Sequence, residues 1–160
     1  LRASKVLKPN VKAIIGPFST TTSKIVTEFP DLVENVLGFV MLSHPVDTGN
    51  KEAKEYHDTF RKLYNRDGDD SAAQWGFVQT LIMGEAIKRA DEKGNPTKGG
   101  VVAELRKTDR DSMLGRIRFD STGDNPAFVT RVGQVQNGKI PVVWPKNAAN
   151  AKVKFPAIPW

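Results

Sequence analysis

Gly115-Arg-Ile-Arg-Phe-Asp-Ser-Thr-Gly-Asp124, then Ala127-Phe-Val-Thr-Arg-Val-Gly-Gln-Val-Gln136, Asn137-Gly138 and Lys139-Ile-Pro-Val-Val-Trp144 is the stretch that decides how this chain folds. Asn-Gly between two segments of alternating apolar residues is a strong local signal for a β-hairpin, because both central residues of a type I′ turn take positive φ. A hairpin centred on Asn137-Gly138 is therefore expected to close the chain.

Toward the N-terminus, Val11-Lys-Ala-Ile-Ile-Gly16 is a short apolar run ended by Gly16-Pro17, as expected of a buried strand feeding a loop. Phe18-Ser-Thr-Thr-Thr-Ser23 follows, and its hydroxyls suit the free N–H groups of a helix starting near Lys24. Pro30 interrupts the helical pattern, which predicts two short pieces between Ile25 and Val36. Leu37-Gly-Phe-Val-Met-Leu42 reads as a second buried strand. Strand, helix and strand make a βαβ unit and imply parallel pairing.

After Ser43-His-Pro-Val-Asp-Thr-Gly49 the period changes. Ala53, Tyr56, Phe60, Leu63 and Tyr64 share one helical face, with Gly68 beyond its end. A second helix is expected from Asp70-Ser71 to about Lys93. Its Trp75, Phe77, Val78, Leu81, Ile82 and Ile87 spread around the circumference, which predicts burial between layers. Gly94 to Gly100 is a turn-rich break, and Val101 to Lys107 a third short helix. Leu1 to Leu7 reads as the last turns of a helix that begins upstream.

Composition narrows the function classes. The chain has 160 residues, 39% hydrophobic and 26% charged, the proportions of an ordinary globular protein with a core. A net charge of +6 would suit a nucleic acid, an anionic membrane or an acidic solute. Lys and Arg are scattered, however, and Lys88-Arg89 and Arg106-Lys107 sit among acids, the pattern of a solvated surface rather than of a basic stripe with interleaved aromatics. Without cysteine there is no disulfide, thiolate metal site or cysteine nucleophile, and with only His44 and His57 no multi-histidine site. No G-x-S-x-G, H-E-x-x-H, G-x-x-x-x-G-K or G-x-G-x-x-G string is present. Glu28, Asp31 and Glu34, spaced by three, read as an exposed helix face rather than an acid/base pair.

The order of the segments resembles the C-terminal two-fifths of the solute-binding proteins of branched-chain amino-acid-type ABC transporters, the type I periplasmic binding proteins. The features that carry the resemblance are Gly16-Pro17 after its strand, His44-Pro45 at a crossing, the helix containing Trp75-Gly-Phe-Val-Gln-Thr-Leu81, Gly115 to Asp120, Gly123-Asp124 and the tail Phe155 to Trp160. The resemblance implies an α/β fold of two lobes, each a parallel sheet flanked by helices, present here as a C-terminal fragment ending in the hairpin. Residues 1–43 would be βα units of lobe 2, 44–123 a mostly helical part of lobe 1, and 124–160 the return to lobe 2. It further implies a periplasmic, non-enzymatic component of an ABC importer. Its partners would be a small-molecule solute, the membrane permease and the missing N-terminal part of the same protein, with no nucleic acid, metal or cofactor.

The resemblance also points to ligand-binding residues: Phe18, Ser19 and Thr20 on the loop after the first strand, and Trp75 on a lobe 1 helix. Amino-acid-binding members place an acid where this chain has Phe18, to hold the ligand's ammonium group. A phenyl ring cannot form that charge-assisted hydrogen bond, so an aromatic or carboxylate-bearing solute fits better than a plain α-amino acid. Ser19 and Thr20 would add hydroxyl donors. Three plainer readings stand beside these: Phe18 packs into its lobe, Ser19 only caps a helix, and Trp75 belongs to the core. For the whole chain the alternatives are a truncated remnant that binds nothing and a basic nucleic-acid-binding module.

Overall fold

A computed structural model describes residues 1–46 and 50–160. In chain order the elements are α1 (Arg2–Leu7), β1 (Ile15–Gly16), a 3-10 turn (Phe18–Thr20), α2 (Ser23–Glu28), α3 (Pro30–Val33), β2 (Leu37–Val40), α4 (Lys51–Tyr64), α5 (Ser71–Glu92), α6 (Lys98–Leu105), β3 (Asp109–Ser112), β4 (Gly115–Arg118), β5 (Arg131–Gln134) and β6 (Val142–Trp144). They form two compact units, one of residues 1–71 and 130–160 and one of residues 72–129.

The first unit is built on the βαβ crossover. Thr22 caps α2 by accepting from the Ile25 N–H at 3.4 Å. Pro30 stands at the start of α3, where its missing N–H leaves no bond unmade. Two short helices result, as the proline predicts, and Glu28, Asp31 and Glu34 are thereby split between elements instead of sharing one helix face. β1 and β2 pair in parallel, Ile15 opposite Leu37 and Gly16 opposite Gly38.

β5 and β6 add antiparallel neighbours, giving the order β1-β2-β5-β6. Asn137 and Gly138 have φ of 54° and 73°, and Gln136 pairs with Lys139, so the expected Asn-Gly hairpin is present. Its first arm is shorter than the alternation suggests. Asn125 accepts from the Ala127 and Phe128 N–H groups through its side chain and carbonyl, which makes 125–128 a turn rather than strand. The core gathers Val26 and Val33 from the helices with Val40, Val135, Ile140 and Val142 from the sheet.

Two further expectations are corrected in this unit. Val11 to Ile15 is not a buried strand: only Ile15 and Gly16 pair with β2, and Ile15 is 73% exposed. The segment lies at the sheet's edge, and its other side meets the tail, where Ala157 bonds to Lys12 and Ile14 at 2.8 Å. In α4, Ala53, Tyr56 and His57 are buried but Leu63 and Tyr64 are exposed, because the buried stripe occupies only the first turns of the helix.

In the second unit α5 buries one narrow row: Gln74, Val78, Ile82, Ala86 and Ala90, each four residues from the next. Burial all round, expected from the spread of apolar residues, is corrected by Trp75, Met83 and Ile87, which are exposed on the remaining circumference. β3 and β4 form a hairpin that the sequence reading passed over. Its strands, Asp-Arg-Asp-Ser and Gly-Arg-Ile-Arg, carry too few apolar residues to show an apolar alternation.

Glu104 of α6 is 4% exposed, with Lys107 at 2.8 Å, Lys93 at 2.7 Å and the Arg89 Nε at 3.6 Å. Hydrogen bonds from Lys107, then Lys93, hold its pKa at about 2. A carboxylate depressed in the folded state stabilises fully above its unfolded pKa, and that contribution is lost as pH falls toward the folded value. Between roughly pH 4.5 and 2 the chain is expected to lose stability that a Glu104→Gln variant, already lacking the charge, does not lose further. Urea unfolding at several pH values checks this; parallel pH profiles for the two proteins would refute it.

Candidate functional site

The loop after β1 lies at the carboxyl end of the parallel pair, where open α/β sheets bind ligands. It is held there by close approach. A Cβ on Gly16 would stand 2.3 Å from the Thr20 methyl, and one on Gly38 would stand 2.6 Å from the Thr21 methyl, so any larger residue at either strand position pushes the loop away. Thr21, buried, donates its hydroxyl to the Phe39 carbonyl at 2.8 Å, and Thr20 donates to the Pro17 carbonyl at 2.7 Å.

This fixation presents three residues. Phe18 packs edge-on against Phe39, the ring centroids 4.2 Å apart, yet remains 45% exposed. One part of the ring anchors the turn and the rest offers an aromatic surface. Ser19 is exposed beside it. The Thr20 hydroxyl proton is spent on Pro17, which leaves lone pairs to accept from a ligand. No carboxylate stands on the turn, so it has nothing to pair with an ammonium group.

Arg131 was not singled out from the sequence, where it reads as a polar residue of an alternating strand. It opens β5 opposite Val40 and donates to the Met41 carbonyl, which places a guanidinium at the same end of the sheet. Burial pushes its pKa down. Trp75 belongs to the second unit. There it stands near the start of α5, 38% exposed, its ring 6.2 Å from that of Phe128. His44 is tied by backbone bonds to Ile140 at 3.0 and 2.7 Å, a structural position. Among the described residues no group of three or more His, Cys, Asp or Glu could hold a metal ion, and no helix is long and apolar enough to cross a membrane.

No family model and no curated protein sequence matches the chain. Its fold does match solved structures. A leucine-binding protein LivK from Thermotoga maritima superposes with a TM-score of 0.68 at 22% identity, covering 88% of this chain and 39% of that one. The fold is that of the type I periplasmic binding proteins. The likeness extends to a branched-chain amino acid transporter substrate-binding protein LivJ from Streptococcus pneumoniae, in complex with isoleucine, with TM-score 0.64, 19% identity, and 88% and 39% of the two chains. A fatty acid ABC transporter substrate-binding protein from Thermomonospora curvata gives TM-score 0.70, 20% identity, and 98% and 43%. Two of these three are named as substrate-binding proteins of transporters, and the chain spans about two-fifths of the length of each of the three.

Proposed function

We propose that the chain is the C-terminal part of an extracytoplasmic solute-binding component of an ABC importer. The observation that carries this reading is the likeness to such proteins over 87–98% of the chain. In this reading residues 1–43 and 124–160 belong to lobe 2 and 44–123 to lobe 1. The rest of both lobes comes from an N-terminal part of the same protein, and the closed, liganded form docks on a membrane permease in the periplasm. The work is binding and closure without turnover: a solute that touches both lobes favours the closed state by its differential affinity for it.

The solute is a small molecule with an aromatic or other apolar body and a carboxylate, rather than a plain α-amino acid. Phe18 supports this choice, with its exposed ring where an acid would be needed for an ammonium group. Ser19 supplies a hydroxyl donor, Thr20, its own proton spent on Pro17, offers only acceptor lone pairs to the solute, and Trp75 is a further aromatic contact residue, carried by the second unit. A solved protein of this fold that is named for fatty acids supports a carboxylate-bearing solute. In the full-length protein, Phe18→Ala and Trp75→Ala are each expected to weaken solute binding by tenfold or more, about 1.4 kcal/mol, the scale of a lost aromatic contact. Calorimetric titration against aromatic acids, fatty acids and leucine checks this. Unchanged affinity in both variants would sink the site assignment, and preference for leucine over every carboxylate lacking an amino group would sink the solute class.

A further inference from the structure

Lys and Arg are spread along the chain, but the acids are not. From Asn125 to Trp160 the sequence holds Arg131, Lys139, Lys146, Lys152 and Lys154 and neither Asp nor Glu, so this stretch carries most of the net charge of +6. In the first unit it forms a concavity of about 670 Å³ between β6 and the segment that follows it. Val143, Trp144, Lys146, Asn150, Lys152 and Val153 line this concavity, and the Phe18–Thr20 turn does not.

Its shape is fixed by hydrogen bonds. Asn150 and Ala151 donate their N–H groups to the Val142 carbonyl at 2.9 and 3.3 Å, and the Asn150 Oδ1 accepts from the Val142 N–H at 2.9 Å. The Gln136 Nε2 holds the Lys152 carbonyl at 2.9 Å. A wall tied down in this way loses little freedom when a ligand arrives. The side chains indicate the ligand. Trp144 is 53% exposed, a large aromatic surface open to water, and Val153 is equally exposed. Lys146 and Lys152 are exposed, and among the described residues neither is paired with a carboxylate. Glu34, an acid that reaches this hairpin, accepts from the Asn137 N–H at 3.1 and 3.2 Å, pairs with Lys154 at 3.8 Å and does not line the concavity. The bond at the Asn150 Oδ1 leaves its Nδ2 as a donor. An apolar wall, two ammonium groups, an amide donor and no acid complement a guest with a flat apolar body and a negative charge.

We propose that this concavity is a binding site for an aromatic anion, a planar ring system carrying a carboxylate or a phosphate, whose ring lies on Trp144 and whose acidic group is held by Lys146 and Lys152. Both parts of the guest are needed. A pair between an exposed lysine and an anion is weak, because water and salt screen it. A ring resting on a single open aromatic face gains little as well. A molecule that makes both contacts is thereby distinguished from a simple anion and from a neutral ring. The site is separate from the Phe18 turn and does not depend on the solute proposed for it.

The test is amide NMR of the 160-residue chain titrated at constant ionic strength with naphthyl phosphate, naphthoate, acetate and naphthalenemethanol. Saturable shifts are expected at the amides of Val143, Lys146, Asn150 and Lys152 with the naphthyl anions, at dissociation constants of about a millimolar. Saturation by either naphthyl anion supports the proposal and names the acidic group. Acetate and the neutral alcohol are expected to bind severalfold more weakly at these amides. Equal affinity for acetate would reduce the site to unspecific charge, and equal affinity for the alcohol would reduce it to an apolar patch; either overturns the proposal. Trp144→Ala, and Lys146→Gln combined with Lys152→Gln, change exposed side chains and are each expected to weaken the binding of the naphthyl anions severalfold while the rest of the amide spectrum stays in place. Unchanged binding in either variant, or no saturable shift at these amides, also overturns it. Phe18→Ala is expected to leave the shifts as they are, so that failure here and failure of the solute site are read from different amides.

Discussion

Titrated with leucine, an aromatic acid or a fatty acid, the 160-residue chain by itself is expected to bind each no better than about millimolar, equivalent to roughly 4 kcal/mol. A cleft ligand gains most when both walls cover it, while the loss of translational freedom is charged in full even if only one wall is present. The chain spans about two-fifths of the solute-binding proteins whose fold it shares, so on the proposed reading most of the opposing surface lies elsewhere in the protein. The full-length protein is expected to bind its solute at least a thousandfold more tightly, a gain of about 4 kcal/mol. At a hundredfold excess of solute over Kd it should also gain about 2.7 kcal/mol of thermal stability. Calorimetry on the two proteins decides the matter: a micromolar, saturable isotherm from the 160-residue chain alone would mean that its cleft is already complete.

The largest expected effect on stability comes from Gln134→Ala. Gln134 is fully buried, and each end of its amide is used twice. The Nε2 donates to the carbonyls of Asn35 and Lys154, both at 2.9 Å, and the Oε1 accepts from the Lys154 N–H and the Gln136 Nε2, both at 2.7 Å. One side chain thus ties the β2 approach, β5 and the C-terminal tail together. Truncation leaves the backbone groups of Asn35 and Lys154 without partners, and such losses cost about 1 kcal/mol or more each. A total near 3 kcal/mol corresponds to a Tm lower by about 10 °C for a chain of this size. Chemical denaturation measures the first quantity, and hydrogen exchange at the Lys154 amide tests the mechanism. A loss below about 1 kcal/mol with the Lys154 amide still protected would show that the tail is held by other means.

How much of this was legible in the sequence follows from the range of the forces involved. The Asn137-Gly138 turn, the break at Pro30, the Thr22 cap and the parallel β1-β2 pair each rest on local rules: a sign of φ, a missing N–H, a hydroxyl beside a helix start, the length of a crossover. These are settled within a few residues and were read correctly. The order of the segments, matched to a known family, also gave the fold that the solved structures bear out.

What failed depended on partners distant in the chain. Val11 to Ile15 looked buried because its residues are apolar, but exposure is set by what lies opposite, and the segment sits at a sheet edge beside the tail. The spread of apolar residues on α5 did not reveal that only the row from Gln74 to Ala90 is covered. The candidate site divides in the same way. Phe18, Ser19 and Thr20 are neighbours in sequence, so placing them on one turn needed only a loop after a strand. That Thr20 spends its proton on Pro17, that Gly16 and Gly38 admit the turn, that Arg131 reaches Met41, and that His57 is buried with an unpaired nitrogen all depend on tertiary contacts. Sequence by itself determined the local geometry and the order of elements, because those obey short-range sterics and hydrogen bonding. Only the tertiary structure decided which side chains are buried and which polar groups are satisfied, because both are properties of the neighbours that the fold supplies.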